Sequence, residues 1–313
     1  MRRIVSVSIG SSKRDHTALI NVRGEDFSIE RIGTDGDMEK AKDLLKALDG
    51  KVSVFGMGGI GMYFWGGGRR RLVLRAARPI ARIPQLTPMV DGSGAKNTLE
   101  RRTIEFLAEQ DAEMFKGKKV LLTSAVDRFG MAQALRDVGC DVLYGDLIFI
   151  LGLPIPIYRL KLLEGIVTIL APLVVQAPYS WLYPTGSEQE KVEETSKYRK
   201  YYEWADIIAG DYHLIHKYML PDMKGKTIIT NTVTEDDVVS MRRCNVGELI
   251  TTTPNFQGRS YGTNVVEALM VALLDKPLEK ITDADYYAII DELGFLPRRE
   301  RLNESPRTLD KSV

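Results

Sequence analysis

From Thr123 to Asp146 the chain reads TSAVDRFGMAQALRDVGCDVLYGD, a short polar turn between two apolar runs with an acid closing the second. A dinucleotide-binding turn carries three glycines after a strand: one for the tight turn, one that lets the backbone approach the diphosphate, and one for close packing of the next helix. By position these correspond to Ala125, Asp127 and Gly130. Gly130 keeps the packing role. Asp146 stands where an acidic side chain accepts hydrogen bonds from the adenosine ribose hydroxyls, an arrangement that favours NAD over NADP. Asp127 brings a carboxylate to the diphosphate position, and at about 4 to 6 Å with an effective dielectric of about 20 that repulsion costs on the order of 3 to 4 kcal/mol. Two arrangements relieve it. Either Arg128 meets the phosphate, or Asp127 turns aside to cap the following helix. With Ser124 these residues form the expected cofactor turn.

Other chemistry-bearing groups stand at the ends of later apolar runs. Asn231 and Thr232, in IITNTV, are placed to contact a nicotinamide ribose, whereas Thr234 and Glu235 just beyond them suit an ordinary helix cap. Asp211, His213 and His216 form D-x-H-x-x-H, whose two histidines share a helix face. No third strong ligand is identifiable, so no metal is expected and His213 is read as a proton donor or hydrogen-bond partner. Arg259, between two glycines and ahead of a helix, could meet an anionic substrate group. The literal G-x-G-x-x-G at Gly56 to Gly61 runs into MYFWGGGRRR, which favours a hairpin over the helix that a dinucleotide motif needs.

The elements that must position these groups follow from periodicity. After residue 116, short β-branched runs (VLLTSAV, CDVLYGD, ADIIAGD, KTIITN, ELITTTP) alternate with helical stretches, as a parallel sheet covered on both faces requires. The predicted class is α/β: a Rossmann-like, doubly wound parallel sheet over 116–280. It is preceded by a smaller α+β domain over 1–115 holding the substrate, and followed at 281–313 by a helix and a charged tail. In such a sheet the ligand crevice lies at the carboxyl ends of the strands, where strand order reverses.

Composition limits the function classes. Lys plus Arg, 43, nearly balances Asp plus Glu, 42, so no broad positive field draws the molecule to nucleic acid. Two cysteines and the absence of a signal-like apolar start point to reduced thiols and a cytoplasmic location. Ile166 to Tyr183 is free of charge, but Pro172 and Pro178 break it, so it is read as a buried or subunit-facing element of a homo-oligomer without stable membrane insertion.

The stretches VDGSGAKNTLERR (90–102), KKVLLTSAVDRFGMAQALRDVGC (118–140) and TTTPNFQGRSYGTNVVEALMVALL (251–274) resemble bacterial quinate or shikimate 5-dehydrogenase-like proteins. That resemblance implies an NAD(P)-dependent oxidoreductase, NAD preferred, acting on a small hydroxylated carboxylic acid held between the domains; the residues also allow a Rossmann-like protein that binds another nucleotide or phosphorylated metabolite without redox chemistry, or a non-catalytic oligomeric interaction protein. The family's G-x-N-T-D motif becomes Gly94-Ala95-Lys96-Asn97-Thr98-Leu99, with one residue extra and the Asp replaced by Leu99. Asn97 and Thr98 remain as substrate contacts, and Asp91 and Lys96 are the nearest groups able to supply a carboxylate and an ammonium. A lysine desolvated between domains can lose basicity enough to relay a proton during hydride transfer. The residues alone also allow Asp91 to Gly94 as a plain turn with Lys96 on the surface.

Overall fold

The computed structural model describes residues 1–66, 69–72, 75–174, 197–231, 233–256 and 259–303. The first sheet is built from β1 (Arg2–Ser8), β2 (His16–Val22), β3 (Glu25–Gly33), β4 (Val54–Gly58) and, after the hairpin β5 (Tyr63–Gly66) and β6 (Arg69–Leu72), β7 (Met89–Val90). Its order is β2-β3-β1-β4-β7, with β2 antiparallel at the edge and the other pairs parallel. Arg23 and Gly24 both take positive φ, the signature of a two-residue hairpin turn joining β2 to β3. Side chains alternate between the faces of β1: Ile4 packs to one side, Val5 and Val7 to the other. Helix α1 (Met38–Leu48), capped by the Asp37 carboxylate, covers the second face with Ala41 and Leu45. A short helix, α2 (Arg78–Ala81), lies on the same side.

Helix α3 (Ser93–Gln110) leads to the second sheet. That sheet contains β8 (Lys119–Leu122), β9 (Asp141–Tyr144), β10 (Ile207–Gly210), β11 (Thr227–Thr230) and β12 (Glu248–Thr251), all parallel to their neighbours. A small hairpin follows, β13 (Asn255–Phe256) with β14 (Arg259–Ser260), and β15 (Arg298–Arg301) adds an antiparallel edge to β12. The order is β15-β12-β11-β10-β8-β9, so strand order reverses between β8 and β10. Intervening helices are α4 (Phe129–Asp137), α5 (Asp146–Phe149), α6 (Leu160–Val174), α7 (Arg199–Trp204), α8 (Tyr212–Tyr218) and α9 (Glu235–Arg243). Both faces are covered: Leu121, Ile208 and Ile228 pack with α7 and α8, while Val120, Leu122 and Ile229 pack with α3 and α4.

The chain then returns to the first sheet. Helix α10 (Thr263–Leu274) is buried nearly all round, as its uniformly apolar sequence demands, and with α11 (Asp283–Leu293) it covers Ile4, Phe27, Ile29 and Val54. The architecture is therefore mixed α/β with two parallel-dominated sheets. Three local expectations change. Arg298 to Arg301, read as solvated tail, pairs as β15 through the Arg299–Glu248 and Arg242–Glu300 ion pairs. The stretch from Asp91 to Gly94, which could have been a plain turn, already enters helix α3 at Ser93, so Asn97 and Thr98 lie inside that helix. Of the uncharged run at 166–183, residues to Val174 continue α6 and the remainder lies outside the described residues; no described helix is long and apolar enough to cross a membrane.

Candidate functional site: a paired charge network where the strands reverse

The carboxyl ends of β8 and β10 flank the reversal point, and they approach closely. A Cβ on Gly210, whose φ is +134°, would lie 2.2 Å from the Thr123 hydroxyl, so glycine is required there. From the β8 end, the turn 123–128 carries Asp127 and Arg128 into α4; from the β10 end, Asp211 caps α8, accepting from the His213 amide at 3.0 Å. Arg128 runs between them. Its guanidinium, 1% exposed, ion-pairs with Glu100, which is 0% exposed on the inner stripe of α3, and reaches Asp211 Oδ2 at 3.3 Å. Lys96, one turn earlier on α3, donates to both Asp127 oxygens at 2.9 and 2.8 Å.

The first sheet contributes through the loop after β1. Arg14 donates to His213 Nε2 at 2.8 Å and to Asp237 Oδ2 at 2.8 Å. Arginine has no acceptor, so Nε2 must accept and the His213 proton resides on Nδ1. Asp237 also closes the capping box of α9 with Thr234. Carboxyl-end loops of both sheets thus converge on one network.

The electrostatics divide this network into a floor and a mouth. Burial alone would lower Arg128, but Glu100, Asp211 and Asp127 outweigh it and hold the guanidinium charged. Burial pushes the Glu100 carboxyl up, offset only in part by Arg128. Those two form the floor. At the mouth the Asp127 side chain is 50% exposed and that of Asp211 37%. For Asp127, burial would raise the carboxyl, but Lys96 and Arg128 hold it below the usual range; for Asp211, burial is likewise outweighed by His213, Arg128 and Lys96. Both are carboxylates near neutrality. Burial lowers His213, which Asp211 counters only in part. For Lys96, burial pulls downward but Asp127 more than restores it, and the amine is raised. The lowered, proton-relaying lysine expected at Lys96 is therefore corrected: this is a paired ammonium.

The remaining predicted residues are placed as follows. Asp146 is buried, and its oxygens accept from the Ala125 and Val126 amides at 3.1 and 2.9 Å, so the acid read as a ribose ligand is spent on holding the turn. Burial pushes its carboxyl up to about 6 against those amides. The amides a diphosphate would need on this turn are met by the protein's own carboxylate. Gly130 does serve close packing, but against α3 rather than the sheet: a Cβ would lie 2.0 Å from the Asn97 carbonyl. Asp127 does not cap α4, where Arg128 occupies the cap position; it pairs with Lys96. Asp91, expected to be catalytic, accepts from the Met62 and Ser93 amides and organises the loop into α3. Asn97 donates to Asp283 of α11, and Thr98 donates to the Gly94 carbonyl within α3, so neither substrate contact reaches the network. Ser124 and Asn231 are buried at the ends of β8 and β11. Asn231 Oδ1 and, just past the end of the adjacent strand β12, Thr252 Oγ1 are buried with no hydrogen-bond partner among the described residues. Thr232 and the Arg259 side chain lie outside the described residues. Among the described residues no group of three or more His, Cys, Asp and Glu is arranged for a metal ion.

Glu100, Arg14 and Asp237 were not foreseen. Glu100 had a signal, an acid on the stripe formed by Leu99, Thr103, Ile104 and Leu107. Arg14 had none, because its partners lie about two hundred residues away.

Residues 94–302 match the family described as "Domain of unknown function (DUF8754)", and residues 3–91 match "Domain of unknown function (DUF8753)". No curated protein matches the chain at a significant level. Solved structures similar to it include a sugar ABC transport substrate-binding protein from Bordetella parapertussis (9% identity, 95% of this chain and 83% of that one, TM-score 0.34). Two others are a periplasmic ribose ABC transporter from Conexibacter woesei (11%, 89% and 86%, 0.38) and a 5-methylthioribose transporter solute-binding protein from Thermotoga lettingae (8%, 96% and 85%, 0.38). The family match replaces the expected kinship with quinate or shikimate 5-dehydrogenases, and the NAD(P)-dependent oxidoreductase reading that rested on that kinship falls with it. The site geometry agrees, since the turn amides and Lys96 are both committed within the protein.

Proposed function

As the chain belongs to the family described as "Domain of unknown function (DUF8754)", its role must be read from its own residues, and we propose that it binds a small, hydroxyl-rich, non-anionic metabolite at the mouth of this network. The observation that carries the reading is the imbalance at the mouth. Each cation of the network is committed to a carboxylate, Lys96 to Asp127, Arg128 to Glu100 and Asp211, and Arg14 to Asp237. The carboxylates of Asp127 and Asp211 keep exposed acceptor capacity. A site offering acceptors suits a ligand that donates, and hydroxyl groups on adjacent carbons can each donate to such an oxygen. The position is also where a doubly wound sheet places its ligand, at the carboxyl ends beside the reversal of strand order. Here two sheets contribute, and no covalent step is required.

Thermal melting with a panel of polyols, pentoses, hexoses, hydroxy acids and nicotinamide dinucleotides tests this. A polyol or sugar should raise the melting temperature of the wild type. Asp127→Asn and Asp211→Asn should each weaken that compound's binding by about 1.5–3 kcal/mol, the worth of a hydrogen bond to a charged group. NADH and NADPH should leave the melting temperature unchanged. Stabilisation confined to anions, or binding indifferent to both substitutions, would refute the reading.

A further inference from the structure

Between Leu147 and Tyr158 the chain reads LIFILGLPIPIY, with no charged residue. Part of it is anchored. Ile157 bridges Tyr144 at the edge strand β9, Leu153 donates its amide to the Leu147 carbonyl, and Ile157, Leu160 and Leu163 are buried against the second sheet. Pro154 and Pro156, flanking Ile155, restrict the backbone further. This anchored segment turns Ile150, Leu151, Leu153, Ile155 and Tyr158 outward, and α6 adds Leu162; each is between 45% and 55% exposed. The other exposed large apolar residues on different segments among those described, such as Leu19, Leu86 and Leu296, are far apart in the sequence.

A cluster of this kind is costly in water unless something covers it. The ordering at its border indicates what does. The apolar tip, Ile150 to Ile155, is followed by Tyr158, whose ring meets Trp204 edge-on at 5.9 Å, and then by the exposed cations Arg159 and Lys161. Adjacent along the chain, exposed apolar side chains, an amphipathic ring and basic groups are the three kinds of group that a bilayer surface receives at its acyl boundary, headgroup level and phosphates. We infer that this segment docks the protein peripherally on an anionic lipid surface, with Leu153 and Ile155 entering the acyl boundary and Arg159 and Lys161 meeting lipid phosphates. The anchored backbone means little chain ordering is needed at the moment of binding. This inference is independent of the ligand at the charge network.

The test is co-sedimentation of the full chain with vesicles of phosphatidylcholine alone and of phosphatidylcholine mixed with phosphatidylglycerol, alongside sedimentation velocity without lipid. Wild type should pellet with the anionic vesicles and less with the neutral ones. The pair Leu153→Asp with Ile155→Asp should lower the vesicle partition coefficient by about tenfold or more. The pair Arg159→Gln with Lys161→Gln should lower it about tenfold on anionic vesicles only, as added salt should. Unchanged melting temperatures would establish that the variants, all at exposed positions, are folded. The inference is overturned if wild type remains in the supernatant with both vesicle types, or if the aspartate pair binds as well as wild type. It is also overturned if sedimentation velocity shows a dimer that the aspartate pair abolishes while vesicles are ignored, which would assign the face to a second copy of the chain.

Discussion

Asp146 and Lys96 illustrate how the same residue types acquire different chemistry from their surroundings. Asp146 is removed from water and given two amide donors, which only partly offset its burial, so its carboxyl rises to about 6. Lys96 is also shielded, yet an adjacent carboxylate keeps its proton in place. For Asp146 the consequence for stability has a definite sign. A carboxyl whose folded value lies above its unfolded one, 3.8 here, favours the folded state below the unfolded value, and that contribution is lost as pH rises through about 6. Urea unfolding of wild type and Asp146→Asn should therefore show the wild type losing stability relative to the variant between about pH 4 and pH 6.5, by about 3 kcal/mol for a shift of roughly two units. A difference independent of pH would mean that the carboxyl titrates normally.

At the scale of elements, the helix pair α3 and α4 holds the site together. Lys96 and Glu100 project from one, Asp127 and Arg128 precede the other, and Gly130 lets the two approach. Gly130→Ala should push α4 away from the Asn97 carbonyl and destabilise the fold by about 1–3 kcal/mol, read by urea unfolding, with a matching loss of ligand-induced stabilisation. A stable variant with normal binding would show that the contact relaxes without cost. The parallel strands were legible: the alternation of β-branched runs and helical stretches after residue 116 predicts them. The roles assigned to single residues were not. Position in a motif identified Asp146 and Asp91 as chemical groups, but a carboxylate that reaches nearby amides becomes a loop organiser, and that choice depends on backbone geometry. Arg14 was invisible for a different reason, since its meeting with His213 exists only once two sheets have formed and faced each other.

Across the whole molecule, the path of the chain matters most. Residues 93–110 lead from the first sheet to the second as α3, the chain returns to the first sheet as α10 and α11, and it crosses a third time to pair as β15, so three connections join the halves. Arg14, with its links to His213 and Asp237, ties the loop after β1 to α8 and α9 of the second sheet. The most direct measurement is hydrogen exchange on the full chain with and without the most stabilising sugar or polyol of the melting panel. The account predicts slowed exchange in the segments 10–16, 123–130 and 210–216 together, drawn from both sheets. Slowing confined to one sheet, or located away from the strand ends, would contradict it.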